Sequence, residues 1–265
     1  MKYNEDEING YGIDQNGNKV NHYWNNHRVT DEDLEEFKSW MDCLKDTLKI
    51  NVKQSGISNK EIKGVEKRLG ISLPSVIKLI YSYIGNEPSF LSSRLEKVSF
   101  LPLDKLYVDE NNLVYKTQGT KYAWGVDLEK DRMVYYVKGH GWYWPQDVMS
   151  LCQQSCTDLY CYALTHMKTV AYSRLKGFRS LYPSREGEER YADFFKRVPG
   201  FDYYDHTLFY NKEYGAIAWF RGGQFTIDIL LGCNDKEFID NFVDTFQLTK
   251  ANYKIIDNEI IKKKK

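Results

Sequence analysis

Apolar residues recur every three or four positions between Leu34 and Leu48: Leu34, Phe37, Trp40, Met41, Leu44 and Leu48 form one stripe. That spacing predicts an amphipathic helix. Thr30 can cap it, and Asp31, Glu32 and Asp33 suit the positive end of its dipole. A second helix is signalled by Ser58 and Glu61, a capping-box pair, with Ile57 and Ile62 spaced for a hydrophobic staple. Val65 and Leu69 continue its stripe, and Gly70 is a natural stop. "ISLPSVIKLIYSYIGN" begins a third helix. It tolerates Pro74 in its first turn, buries Val76, Ile77, Ile80, Tyr81 and Ile84, and ends at Gly85-Asn86.

From Phe100 the period changes to two. "FLPLDKLYV", "LVYKTQ", "YAWGVDL", "MVYYVK" and "GWYW" are β-branched or aromatic runs, separated by the turn formers "DENN", "GT", "EKDR" and "GHG". Short connections between successive strands predict an antiparallel meander. "PQDVMSLCQQSCTDLYCYALTHMKTVAYSRL" reads as helix, with Asp147 near its start and Leu151, Ser155, Leu159, Tyr162 and Ala163 facing inward. Beyond residue 177 a smaller cycle follows. "REGEERYADFFKRV" reads as helix, and "TLFYN", "YGAIAWF" and "QFTIDILL" read as strands with "RGGQ" as a hairpin turn. "DKEFIDNFVDTF" reads as a helix capped by Asn234 or Asp235. Residues 1–29 lack a period and read as an extended or irregular arm. Their "DQNGN" fails as a calcium loop because Lys19 stands where glycine is needed. The terminal "IIKKKK" reads as a frayed, solubilising tail.

The fold class is therefore α+β: helices packed on an antiparallel sheet, followed by a smaller α+β region. The expected divisions are 1–50 for the arm and first helix, 51–170 for the main domain, and 171–265 for a C-terminal α+β region docked against it with a basic tail.

Composition narrows the function. Lys+Arg and Asp+Glu both number 37, so the formal charge is zero. Phosphate contacts dominate nucleic-acid affinity, so neutrality predicts no direct nucleic-acid partner, though it leaves room for a local patch. The five cysteines match no disulfide framework. The acidic start is unlike a signal peptide, and no apolar run reaches the length of a membrane span. A reduced, cytoplasmic protein without membrane contact is expected.

The sequence contains no G-x-S-x-G elbow, Walker loop or H-E-x-x-H helix. Cys152 and Cys156, with Cys161 and His166 beyond, lack the usual zinc-knuckle spacing and read as buried apolar residues. His22, His27, His140, His166 and His206 have no local nucleophile or acid beside them that would make a dyad. No enzyme activity, cofactor or metal is expected. "GHGWYWPQD" leaves two readings open. Alternation places Trp142 and Trp144 on one face and Tyr143 on the other, as packing residues or as a binding edge.

Two segments resemble the SUKH superfamily, which contains fungal regulators of cell-wall glucan synthesis and many bacterial immunity proteins. "ISNKEIKGVEKRLGISLPSVIKLIYSYIGN" is similar to the family's paired-helix start through Glu66, Leu69, Gly70, Leu73 and Pro74, although its usual Asn-Gly stands here as Gly85-Asn86. In the sheet, Leu101-Pro102-Leu103, Gln118-Gly119, Trp124-Gly125-Val126-Asp127, Asp131 and Val134-Tyr135 follow the family's order, with Met133 where proline is common. "QDVMSLCQQSCTDLYCYAL" resembles the closing helix, so the resemblance covers residues 55–165.

The resemblance implies a binding scaffold: an immunity protein that inhibits one cognate polymorphic toxin domain, a nuclease or deaminase, by occlusion. The alternative is a regulatory protein-interaction scaffold related to the cell-wall regulators. A free monomer is expected. The expected contact residues are the aromatics Tyr122, Trp142 and Tyr143, with His140. Glu129 and Asp131, joined by Asp109, lie at turns where they can meet a basic toxin. Trp124 is expected in the core.

Overall fold

The computed structural model describes residues 11–13, 19–21, 28–94, 97–143, 150–176, 191–201, 206–222, 226–246 and 253–257. In the arm, β1 (Tyr11–Ile13) and β2 (Lys19–Asn21) are extended and pair antiparallel. The "DQNGN" segment, Trp144, Asp147, His22, His27 and the lysine tail lie outside the described residues.

The helices follow their local signals. α1 (Asp31–Leu48) starts at a capping box between Thr30 and Asp33 and buries Phe37, Trp40, Met41 and Leu44. A short α2 (Val52–Ser55) precedes α3 (Asn59–Leu69), which opens on the Ser58–Glu61 box and ends at Gly70 in the left-handed region, φ 69°. α4 (Ser75–Ile84) buries all five expected apolar residues. A single turn, α5 (Pro88–Leu91), follows. Glu66 ties α3 to α4: it accepts from the Leu73 amide at 2.9 Å and pairs with Lys78 at 2.8 Å.

The first sheet has strands β3 (Val98–Phe100), β4 (Tyr107–Asp109), β5 (Asn112–Gln118), β6 (Tyr122–Asp127), β7 (Arg132–Val137) and β8 (Gly141–Tyr143). All pairs are antiparallel, in the order β3-β5-β6-β7-β8, with β4 on the other half of β5. "FLPLDKLYV" is therefore two strands instead of one. The chain leaves β5 after Phe100, turns through a 3₁₀ segment at Leu103–Lys105, and returns to β5 at Tyr107. Pro102, with no amide hydrogen to donate, suits that break.

Ser150 and Gln153 form the capping box of α6 (Leu151–Thr165). The expected helix through residue 175 stops there. Thr169–Lys176 is strand β9, bonded to a neighbour on each side. The second sheet adds β10 (Lys196–Arg197), β11 (His206–Asn211), β12 (Ala216–Gly222), β13 (Thr226–Cys233) and β14 (Tyr253–Asp257), in the order β10-β11-β12-β13-β9-β14. α7 (Lys236–Thr245) is capped by Asp235. The helix expected around "YADFFKRV" is also corrected. Lys196 and Arg197 pair with Tyr210 and Phe209, and the Val198 amide bonds to Leu208. Ladder bonds to β11 override a weak local period.

α6 lies between the two sheets and is buried almost all round. Asp158 reaches Lys116 on β5, while the Leu164 carbonyl comes within 2.7 Å of where a Cβ on Gly232 would stand, which only glycine allows. One hydrophobic core runs from α1 and α4 through the first sheet and α6 to Leu208, Ile217 and Leu230 of the second sheet. A second core on the far side of that sheet packs Phe209, Phe220 and Leu231 under Phe238, Ile239 and Phe242 of α7.

Candidate partner-binding surface

The first sheet has two chemically distinct faces because side chains alternate along each strand. Leu113, Val126 and Met133 point toward the core. Lys116, Trp124, Tyr122, Tyr135 and Tyr143 share that face by register. Lys116 is 1% exposed and ion-paired with Asp158, which also accepts from the Gln154 amide at 3.1 Å. Burial raises the Asp158 carboxyl above its ordinary range, and Lys116 and Gln154 oppose that shift. The Lys116 ammonium sits 4.1 Å above the Trp124 ring. From there rings continue outward: Trp124 to Tyr135 at 5.0 Å, Tyr122 stacked on Tyr135 at 5.8 Å, and Tyr143 edge-on to Tyr135 at 5.3 Å.

On the outer face Val114, Ala123 and Val134 are buried, and Trp142 packs over Gly125 between Val114 and Val134. The Trp142 indole donates to Asp109 at 2.8 Å and packs on Tyr136 at 5.3 Å. A Cβ on Gly125 would meet its ring at 3.0 Å. This explains the "WGVD" motif physically: Trp124 covers Lys116, Gly125 makes room for Trp142, Val126 enters the core, and Asp127 accepts the amides of Glu129 and Lys130 to form the turn. Tyr107 on β4 is 45% exposed on this outer face, and burial, with Asp109 and Tyr136 beside it, raises its phenol.

The expected contact residues divide between these places. Tyr122 and Tyr143 lie on the core-side face, Trp142 on the outer face, and His140 on the exposed β7–β8 turn. Glu129 and Asp131 lie on the β6–β7 turn at the other end of the strands. Five residues of β6 separate the two ends, about 17 Å. Asp131 is half-buried with φ 52°, and burial raises its carboxyl against the pull of Arg28. Trp124, expected in the core, lies partly buried against it.

Charge divides in the same way. At the Glu129 end stand Asp109, Glu110, Asp127, Glu129 and Asp131, against Lys130 and Arg132. At the His140 end stand Lys121 and Lys138, with Lys97 next to Glu96 at the entry to β3. Lys116, Tyr107 and Tyr136 are the members sequence reasoning missed. A lysine directly after the apolar run Leu113-Val114-Tyr115 was the available signal for the first. The other two are marked only by cross-strand register.

The remaining histidines have structural partners: His166 bonds the Ser92 carbonyl at 2.9 Å, and His206 accepts from the Trp219 indole at 3.1 Å. Cys43, Cys152 and Cys156 are buried, and burial pushes their thiols up, away from the reactive thiolate. Among the described residues no helix is long and apolar enough to cross a membrane.

Residues 56–174 match the model of the SMI1/KNR4 family (SUKH-1). No curated protein and no solved structure matches the chain. The matched segment runs from α2 through the first sheet and α6 into β9, so it contains both faces described above. The SUKH family includes immunity proteins and KNR4-like regulators, and the segment 56–174 of this chain is similar to its domain.

Proposed function

We propose that this protein is an immunity protein, which binds one cognate toxin domain and blocks its active site by occlusion, with no chemistry of its own. Residues 1–50 supply an arm and the first helix, 51–170 the recognition domain and 171–265 a docked support. The carrying observation is the outer face of the first sheet. Tyr107, Tyr136 and Trp142 lie there beside Asp109, and the neighbouring turns add Glu110 and Glu129. Aromatic anchors with an acidic rim suit a basic partner surface such as that of a nuclease. Enzymes that grip phosphate backbones carry basic surfaces. Asp131 and Trp142 contribute here, whereas Tyr122, His140 and Tyr143 lie outside this contact.

The test is a tagged pull-down from the native host with quantified stoichiometry. One dominant partner at one to one, retained at high salt and losing its activity in the complex, supports the proposal. Several weak substoichiometric partners would replace it with the regulatory scaffold reading.

A further inference from the structure

The opposite end of the same sheet has the reverse chemistry. Three connections meet there: the entry to β3 with Arg94 and Lys97, the β5–β6 turn with Lys121, and the β7–β8 turn with Lys138 and His140. Register makes them neighbours. Val98 pairs with Gln118, and the Lys138 amide bonds the Lys121 carbonyl at 2.8 Å. Arg94, Lys97, Lys121, Lys138 and His140 are all exposed. None of the four cationic side chains makes an ion pair among the described residues; the β5–β6 and β7–β8 turns carry no carboxylate, and Glu96 adjoins Lys97 in the sequence. The row covers β3, β5, β6 and β7, three strand spacings or about 14 Å.

Immediately inside this row begins the aromatic series of the core-side face. Tyr143 is 41% exposed, and Tyr122, Tyr135 and Trp124 are partly exposed. The Trp124, Tyr122 and Tyr143 rings each lie within 6 Å of the Tyr135 ring, centroid to centroid. Unpaired lysines bordering a run of open rings match a polyanion whose monomers have π-faces. An acidic peptide would use the lysines and leave the rings without a role. We infer that this end binds single-stranded nucleic acid, with phosphates on Lys97, Lys121 and Lys138 and bases against Tyr143 and Tyr122. The surface is on the opposite face of the sheet from the toxin contact proposed above. Zero net charge does not oppose it, because composition sums charge over the whole chain, and the carboxylates of the Glu129 end stand about 17 Å away.

The experiment is fluorescence anisotropy of a labelled oligothymidylate of about 12 nucleotides with the full chain. Binding at low salt should weaken as salt rises, with a log–log slope of about −2 for three phosphate contacts. The Lys121→Glu/Lys138→Glu pair should weaken binding at least about tenfold. Tyr143→Ala should weaken it about fivefold to tenfold, and a duplex of equal length should bind more weakly than the single strand. Absence of binding at low salt overturns the inference. So does unchanged affinity in the lysine pair. Displacement by polyglutamate together with full affinity in Tyr143→Ala also overturns it, making the surface a site for an acidic protein segment.

Discussion

The ammonium of Lys116, on the first sheet, and the carboxylate of Asp158, on the helix between the sheets, form an ion pair with almost no access to water. Removing one partner leaves the other charge buried alone. Lys116→Met should cost about 3–5 kcal/mol, and Lys116→Met combined with Asp158→Leu should recover most of that loss. Urea denaturation of the single and double variants tests this. A double variant no better than the single would mean that the pair is not the source of the cost.

Trp142 closes the outer face over Gly125. Gly125→Ala should destabilise by about 1–3 kcal/mol, because a Cβ 3.0 Å from the ring and 3.2 Å from the Leu113 carbonyl forces one of them to move. Trp142→Phe keeps a ring but loses the bond to Asp109, and should cost about 1 kcal/mol. Denaturation midpoints distinguish the two. A neutral Gly125→Ala would show that the indole is free to shift.

His206 introduces acid sensitivity. Burial, with Arg221 beside it, lowers its pKa from 6.5 to about 3. The unfolded chain then binds a proton that the folded chain refuses. The stabilisation from neutral His206 is complete above about pH 6.5 and is lost as pH falls from there toward 3. His206→Gln keeps an acceptor for the Trp219 indole and removes the titration. Comparison of stability at neutral pH and near pH 5 should show a smaller acid loss in the variant than in the natural protein. Equal losses would assign the acid sensitivity elsewhere.

The acidic turns should govern how fast the toxin is found. Glu110→Lys with Glu129→Lys should slow association about tenfold or more at low salt and reduce its salt dependence, with little change in dissociation. Stopped-flow association against the partner from the pull-down reads this directly. An unchanged association rate would move the contact away from these turns.

Much of the architecture was written locally. The Thr30–Asp33 and Ser58–Glu61 boxes, the stop at Gly70 and the apolar stripes of α1, α3 and α4 act within one or two helical turns, so sequence alone determined those elements. The period-two runs and the "WGVD" motif likewise placed β5, β6 and β7. Tertiary structure decided what depended on distant partners. Residues 169–176 became a strand because β13 and β14 satisfy their backbone on both sides. Lys116 became a buried cation because Asp158, 42 residues away, lies above it. The proposed contact residues separated into two faces and two ends because antiparallel register sends successive turns to opposite ends of a sheet. The same register gathered Asp109, Glu110, Asp127, Glu129 and Asp131 at one end of the sheet and Lys121 and Lys138 at the other, since composition sums charge over the chain and only the fold assigns it a position.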